Sequence, residues 1–228
     1  SVYVGGYFDM GVRVKTFDRV FSRGSKRGEP TWELRQLDSD QEYPRQAEWT
    51  EEAYLALNAP FLVELVDGCL EFPPMATMLH QLIVRYLHGK LDAFVTGHAL
   101  GIALFAPLSM YLWPERFRQP DILFLRAGHK PHRKQYPRGA DLVMEIVSGD
   151  PKDRTRDLVT KRREYARVGI SEYWIVDPKL STITVLMLKG KTYRQHGVLG
   201  AGTQATSVLL RGFSVSVDEV FAAGRASV

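Results

Sequence analysis

Glu145 lies in the middle of Ala140-Asp-Leu-Val-Met-Glu-Ile-Val-Ser148, a stretch whose composition and alternation predict a strand. Val143, Glu145 and Val147 share one face, and Leu142, Met144 and Ile146 the other. Both faces are apolar, as in a central strand covered on both sides. A carboxylate between two valines is costly there unless it is paired, hydrogen-bonded or coordinating a metal. A partly open sheet edge or a structural arginine would satisfy it as well as a cation.

Asp121 supplies a second carboxylate at the start of a predicted strand over Ile122 to Leu125, where the preceding Pro120 belongs. If this strand pairs antiparallel with the strand of Glu145, the two carboxylates lie side by side. They repel unless a cation stands between them, and oxygen-only ligation suits Mg2+ or Mn2+. Lys161, two turns into the helix predicted over Asp153 to Val168, could reach over that cation. Paired acids, a metal and a lysine are what phosphodiester hydrolysis requires. The cation polarises the phosphate and activates a water, and the ammonium stabilises charge developing at phosphorus. The plainer reading of Asp157 with Lys161 is a surface i,i+4 ion pair worth ~0.3–0.5 kcal/mol.

The elements that must position these groups are legible in outline. Thr50 followed by Glu51 and Glu52 predicts a capped helix start, and Asn58-Ala-Pro60 its end. Leu62 to Val66, Asp67-Gly68 and Cys69 to Phe72 predict a tight hairpin. It carries Glu64 on the face of Leu62 and Val66. Leu79, Leu82, Ile83, Tyr86 and Leu87 predict the buried stripe of the next helix, with His80 and His88 off its centre and assigned no metal role. Strands are expected around Leu100 to Ala106 and Leu108 to Trp113. Later come Glu172 to Asp177, a hairpin over Ile183 to His196, and a closing helix capped by Ser216.

Composition bounds the rest. With 45% hydrophobic and 25% charged residues over 228 positions, the chain has the mix of a soluble globular protein. Its one cysteine, Cys69, excludes an intrachain disulfide and a cysteine-based zinc site. The longest apolar run, near Ala99 to Tyr111, is broken by Gly101, Pro107 and Ser109 and cannot span a bilayer. The first residues lack the apolar core of a secretory signal, so no membrane partner and a cytoplasmic setting are expected. Residues 1–48 show weak periodicity, a basic block followed by an acidic one, and are expected to be a poorly ordered extension or linker before a domain over 49–228.

The net charge of +4 and pI near 9.1 suit a polyanionic partner, and the distribution matters more than the total. The loop from Arg126 to Arg138 carries Lys130, Arg133 and Lys134 with no acid, and the helix after Glu145 carries Arg154 and Arg162. These five are the candidate phosphate-backbone contacts; the alternative is a solvated surface.

Five segments together resemble the PD-(D/E)XK, restriction-endonuclease-like superfamily, and more closely the large bacterial family of "putative restriction endonucleases". They are Leu62-Val-Glu-Leu-Val-Asp-Gly68, Gln119-Pro-Asp121, Met144-Glu-Ile-Val-Ser148, Asp157-x-x-x-Lys161-x-x-x-Tyr165 and Gly169-Ile-Ser-Glu-Tyr-Trp-Ile-Val-Asp-Pro178, in that order. The resemblance implies an α/β fold, a restriction-endonuclease-like core with a mixed β-sheet flanked by α-helices. It implies that Asp121 and Glu145 bind the metal and that Glu64 completes the site through water. The superfamily lysine is expected where this chain has Val147; in the closer family it stands on the following helix, which is Lys161 here. The expected activity is Mg2+-dependent (or Mn2+-dependent) hydrolysis of DNA phosphodiester bonds. The alternatives are a catalytically silent nucleic-acid-binding module that keeps the fold, and an assembly protein whose buried charges are ordinary ion pairs. Whether the chain forms a homodimer is open at this level.

Overall fold

In a computed structural model, residues 17–21, 32–36, 44–57, 62–132, 136–147 and 149–225 are described. Most of the expected extension lies outside them, as do Asn58-Ala-Pro60, Arg133, Lys134 and Ser148. Within the extension, the backbone of Phe17–Phe21 pairs antiparallel with Trp32–Gln36.

The first helix, α1 (Glu51–Ala56), starts where Thr50 accepts the Ala53 N–H at 3.2 Å. The hairpin β1 (Glu64–Val66) and β2 (Cys69–Glu71) turns at Asp67 and Gly68, both with positive φ, 49° and 74°. A Cβ on Gly68 would stand 3.0 Å from the Ala47 carbonyl, so the position also needs glycine for space. Helix α2 (Met78–Gly97) is capped by Thr77 and buries Ile83, Val84, Leu87, Leu91 and Val95. The buried stripe is therefore rotated from the expected one. Leu79 is 39% exposed, because Ile83, Val84, Leu87, Leu91 and Val95 are the residues turned to the sheet and the closing helix.

Next come β3 (Gly101–Phe105), β4 (Met110–Trp113), β5 (Arg116–Arg118), β6 (Ile122–Arg126) and β7 (Leu142–Ile146). The helical stretch after β7 has three parts. They are α3 (Pro151–Thr155), a π-helical turn over Arg156–Lys161, and α4 (Arg162–Val168), which ends on left-handed Gly169. Strands β8 (Glu172–Asp177), β9 (Thr182–Lys189) and β10 (Thr192–Leu199) follow, and α5 (Val217–Gly224) closes the fold from its Ser216 cap.

The main sheet has six strands in the order β10-β9-β8-β7-β6-β3; β7 and β8 are parallel and every other pair antiparallel. The alternation of β7 holds. Leu142, Met144 and Ile146 pack with Trp174 and Val176 beneath α2 and α5. Val143 and Val147 pack with Tyr165, Ala166, Tyr173 and Ile175 on the face covered by α4. Each face removes its apolar side chains from water at ~25 cal/mol per Å2, which is why the central strands carry so few charges. A second, four-stranded antiparallel sheet, β2-β1-β5-β4, has its own core of Trp49, Tyr54, Val63, Leu65, Leu70, Tyr111 and Phe117. The fold is thus α/β, a mixed sheet flanked by helices. No helix among the described residues is long and apolar enough to cross a membrane.

Candidate active site

The β6–β7 register brings the two central carboxylates together. Met144 lies opposite Ile122, so Asp121 falls beside the end of β7 and its Oδ2 accepts the Ile146 N–H at 2.7 Å. Glu145 points to the α4 side of the sheet and is 3% exposed. Its Oε1 accepts two hydrogen bonds, from Lys161 Nζ at 2.9 Å and from Tyr165 OH at 2.6 Å. The ammonium of Lys161 also lies 3.5 Å from Asp157 Oδ1 and 3.6 Å from Glu64 Oε1. Asp157 and Lys161 are therefore not a surface pair; both are buried. The π-helical turn between them widens the helix where its polar face meets the sheet, as such turns do at functional sites.

Glu64 is fully buried and held twice, by Arg118 Nη1 at 2.7 Å and by the Gln119 N–H at 2.8 Å. Arg118 is equally enclosed and donates to Glu71 and Glu164 as well. Glu164 binds Arg116, which in turn pairs with Asp67. This network ties the four-stranded sheet to α4 and fixes Glu64 beside the ammonium.

The charges set the protonation states. Burial pushes the Glu145 carboxyl up to about 8; Lys161 opposes the rise, and Asp121 and Asp157 reinforce it. Burial acts on Glu64 in the same direction, but Lys161, Arg118 and the Gln119 N–H outweigh it and hold that carboxyl at about 2. Lys161 is raised: burial would strip its proton, and Glu145, Glu64 and Asp157 together retain it. Burial also raises Tyr165, which remains a phenol and a donor to Glu145.

The expected site residues Glu64, Asp121, Glu145 and Lys161 thus converge. The expected phosphate contacts are more dispersed. Lys130 is exposed. Arg154 is committed to Asp177 at 2.6 Å, and Arg162 donates to the Tyr193 carbonyl at 3.4 Å. Arg133 and Lys134 lie outside the described residues.

Two contributors escaped the sequence reading. Arg118, on a strand of three residues, looks like a solvated charge until its distant partners are known. His80, read as a surface or satisfied histidine, places Nε2 3.1 Å from Asp121 Oδ1, and its Nδ1 is buried without a partner. Its protonation is favoured by that carboxylate against the opposing effect of burial. The one available signal was its position, three residues after the Thr77 helix cap.

Among the described residues, no three His, Cys, Asp or Glu side chains form a ready-made metal shell. The donor chemistry nevertheless fits a hard divalent cation. Asp121 and Glu145 offer oxygen alone, the donor such a cation prefers.

The sequence model of the Uma2 family, described as "putative restriction endonuclease", matches residues 49–218. No curated protein matches the chain. Among solved structures, the fold is similar to a "putative nuclease belonging to DUF820" from Anabaena variabilis, with a TM-score of 0.63 at 16% identity. The match covers 77% of this chain and 99% of that one.

Proposed function

We propose that this chain, which belongs to the Uma2 family of putative restriction endonucleases, is a Mg2+- or Mn2+-dependent endonuclease that hydrolyses DNA phosphodiester bonds. The observation that carries the reading is the meeting of Asp121 and Glu145 across two paired strands, with Lys161 Nζ 2.9 Å from Glu145. A solvated surface would not assemble these groups. A pure binder of a polyanion gains nothing from acids that face it.

In this reading Asp121 and Glu145 hold the cation, which when bound polarises the phosphate and lowers the pKa of a water. Asp121 is oriented by the Ile146 N–H and Glu145 by Tyr165. Lys161 stabilises negative charge developing on the phosphate oxygens, a role that requires it to stay an ammonium. Glu64 supports that state: fixed by Arg118, it keeps a negative charge 3.6 Å from Nζ. Lys161 takes over from the superfamily lysine missing at Val147 because a long side chain can deliver its charge from a different backbone. Lys130, Arg133, Lys134, Arg154 and Arg162 are the proposed contacts to the DNA backbone, with Arg154 and Arg162 giving up their present partners to make them.

The test is cleavage of supercoiled, linear and single-stranded DNA in Mg2+ or Mn2+, with Glu145→Ala and Lys161→Ala alongside the parent. Metal-dependent products from the parent alone, with both variants folded, support the assignment. Binding without products from any substrate moves the chain to a binding module. Products from the variants remove these residues from the site.

A further inference from the structure

Lys161 has a second cation beside it. Arg156 opens the π-helical turn that Lys161 closes. Its Nη1 donates to Asp153 Oδ1 at 2.8 Å and its Nε to Asp157 Oδ1 at 3.3 Å. That same Asp157 oxygen lies 3.5 Å from Lys161 Nζ, so one carboxylate oxygen joins a guanidinium to an ammonium. Burial works against the charge on Arg156, and Asp157, Glu64, Asp153 and Glu145 together outweigh it. The guanidinium therefore stands within the field of the acids that make up the site.

The plain account of Arg156 is a helix ion pair with Asp153, three residues earlier, which contributes little. Two features go beyond that account. One is its other partner, Asp157, a buried acid beside Lys161 and not a surface residue. The other is what stays unused. Arginine carries five N–H groups, and its two bonds leave both N–H groups of Nη2 without an acceptor among the described residues. Nor is Nη2 sealed in. The side chain is 17% exposed, and the nitrogens enclosed without a partner belong to His80, Arg116 and Arg154. The other cations near the site are less free. Arg118 is enclosed by three carboxylates and Arg116 by two, and Lys161 is only 4% exposed among three acids.

A planar fork with unused N–H groups suits a phosphate oxygen, and a phosphoryl group whose charge is spread over several oxygens gains from more than one donor. We propose that Arg156 is a further catalytic residue, whose Nη2 donates to a non-bridging oxygen of the scissile phosphate and shares with Lys161 the charge that develops there. The proposal rests on the nuclease reading and adds to it an open group that touches the substrate. Asp157, which holds both cations through one oxygen, then sets their spacing.

The experiment compares the parent with Arg156→Gln and Arg156→Lys on a duplex whose cleaved linkage has been mapped with the parent in Mn2+. Arg156→Gln is expected to cut about a hundredfold more slowly. Arg156→Lys keeps a charge for Asp153 and Asp157 but loses the fork, and is expected to cut about tenfold more slowly. Binding is then titrated in EDTA at low salt, with the mapped linkage as the phosphodiester or as a neutral methylphosphonate. Neutralising the linkage is expected to cost the parent about tenfold more affinity than it costs Arg156→Gln, a difference that a structural ion pair would not produce. Cleavage by Arg156→Lys at the parent rate, or equal losses of affinity in the parent and Arg156→Gln, overturns the proposal and leaves the nuclease reading standing. A parent that cuts no DNA removes the nuclease reading, and the proposal with it. Arg156→Lys carries the test if Arg156→Gln does not fold.

Discussion

Glu64 and Glu145 share one ammonium, with Lys161 Nζ 3.6 Å from the first and 2.9 Å from the second, yet their carboxyls titrate in opposite directions. The difference lies in their second partners. Glu64 has Arg118 and a backbone N–H, whereas Glu145 has a neutral phenol and two nearby acids. Environments that drive two carboxyls apart are how a site assigns one to hold charge and another to exchange a proton or a cation.

Opposite shifts predict opposite pH limbs for the metal-free protein. Glu64 titrates lower in the folded chain, at about 2. Its contribution, on the order of 3 kcal/mol, is present above the ordinary carboxylate range and fades as pH falls from ~4.5 through 2. Glu145 titrates higher, at about 8. Its protonated form stabilises fully below ~4.5, and that contribution fades as pH rises through 8. Urea midpoints measured from pH 3 to 9 should therefore lose their acid slope in Glu64→Gln and their alkaline slope in Glu145→Gln. Unchanged slopes in both would contradict the charge assignment.

Lys161→Met and Glu145→Gln should separate stability from chemistry. Lys161→Met leaves Glu64, Glu145 and Asp157 buried without their shared cation and should lower stability by roughly 3–5 kcal/mol. Glu145→Gln keeps the shape of the side chain, removes a charge that burial disfavours, and leaves Lys161 beside Glu64 and Asp157, so it should cost less than about 1.5 kcal/mol. Both should reduce DNA cleavage by more than about a hundredfold. Denaturant midpoints beside cleavage rates check this, and a Glu145→Gln protein that unfolds readily but still cuts would favour an ordinary structural ion pair.

Much of this site can be read along the chain, and the exceptions share a cause. The alternation through Val143, Glu145 and Val147, and the Pro120-Asp121 strand start, are local patterns that the sheet preserves. Lys161 ends a π-helical turn and faces inward, neither of which i,i+4 spacing discloses. Arg118 is invisible because its partners stand 46 to 54 residues away, and no local window contains them. The stripe of α2 turned because α5 and the sheet, both later in the chain, decide which face is buried.

Arg118 should prove to be the structural keystone of the second sheet. Its guanidinium reaches Glu64, Glu71 and Glu164 at 2.7 Å each, joining β1, β2 and α4. Arg118→Met should cost roughly 3 kcal/mol in chemical denaturation, since Glu64 is left with Lys161 and the Gln119 N–H alone and Glu164 with Arg116 alone. Adding Glu64→Gln and Glu164→Gln should recover part of the loss. Additive losses in the triple variant would show that the carboxylates are stabilised by something other than Arg118.

His80 should act on Asp121 alone. Its imidazole fixes Oδ1 while the Ile146 N–H fixes Oδ2, so the carboxylate is held from both sides in a single orientation. Partners of this kind are worth about 10–100-fold in metal affinity or activity when removed. His80→Ala should therefore raise the Mn2+ concentration needed for half-maximal cleavage by about tenfold or more with only a modest change in melting temperature, because the ring lies on the first turn of α2 with 19% of its side chain still exposed. Gln has an amide that can stand near the same Nε2 position, and His80→Gln should restore most of the metal response. If His80→Gln fails as badly as His80→Ala while Mn2+ binding measured by calorimetry is intact, the imidazole contacts the substrate itself. Its unpartnered Nδ1 would then be the atom to follow.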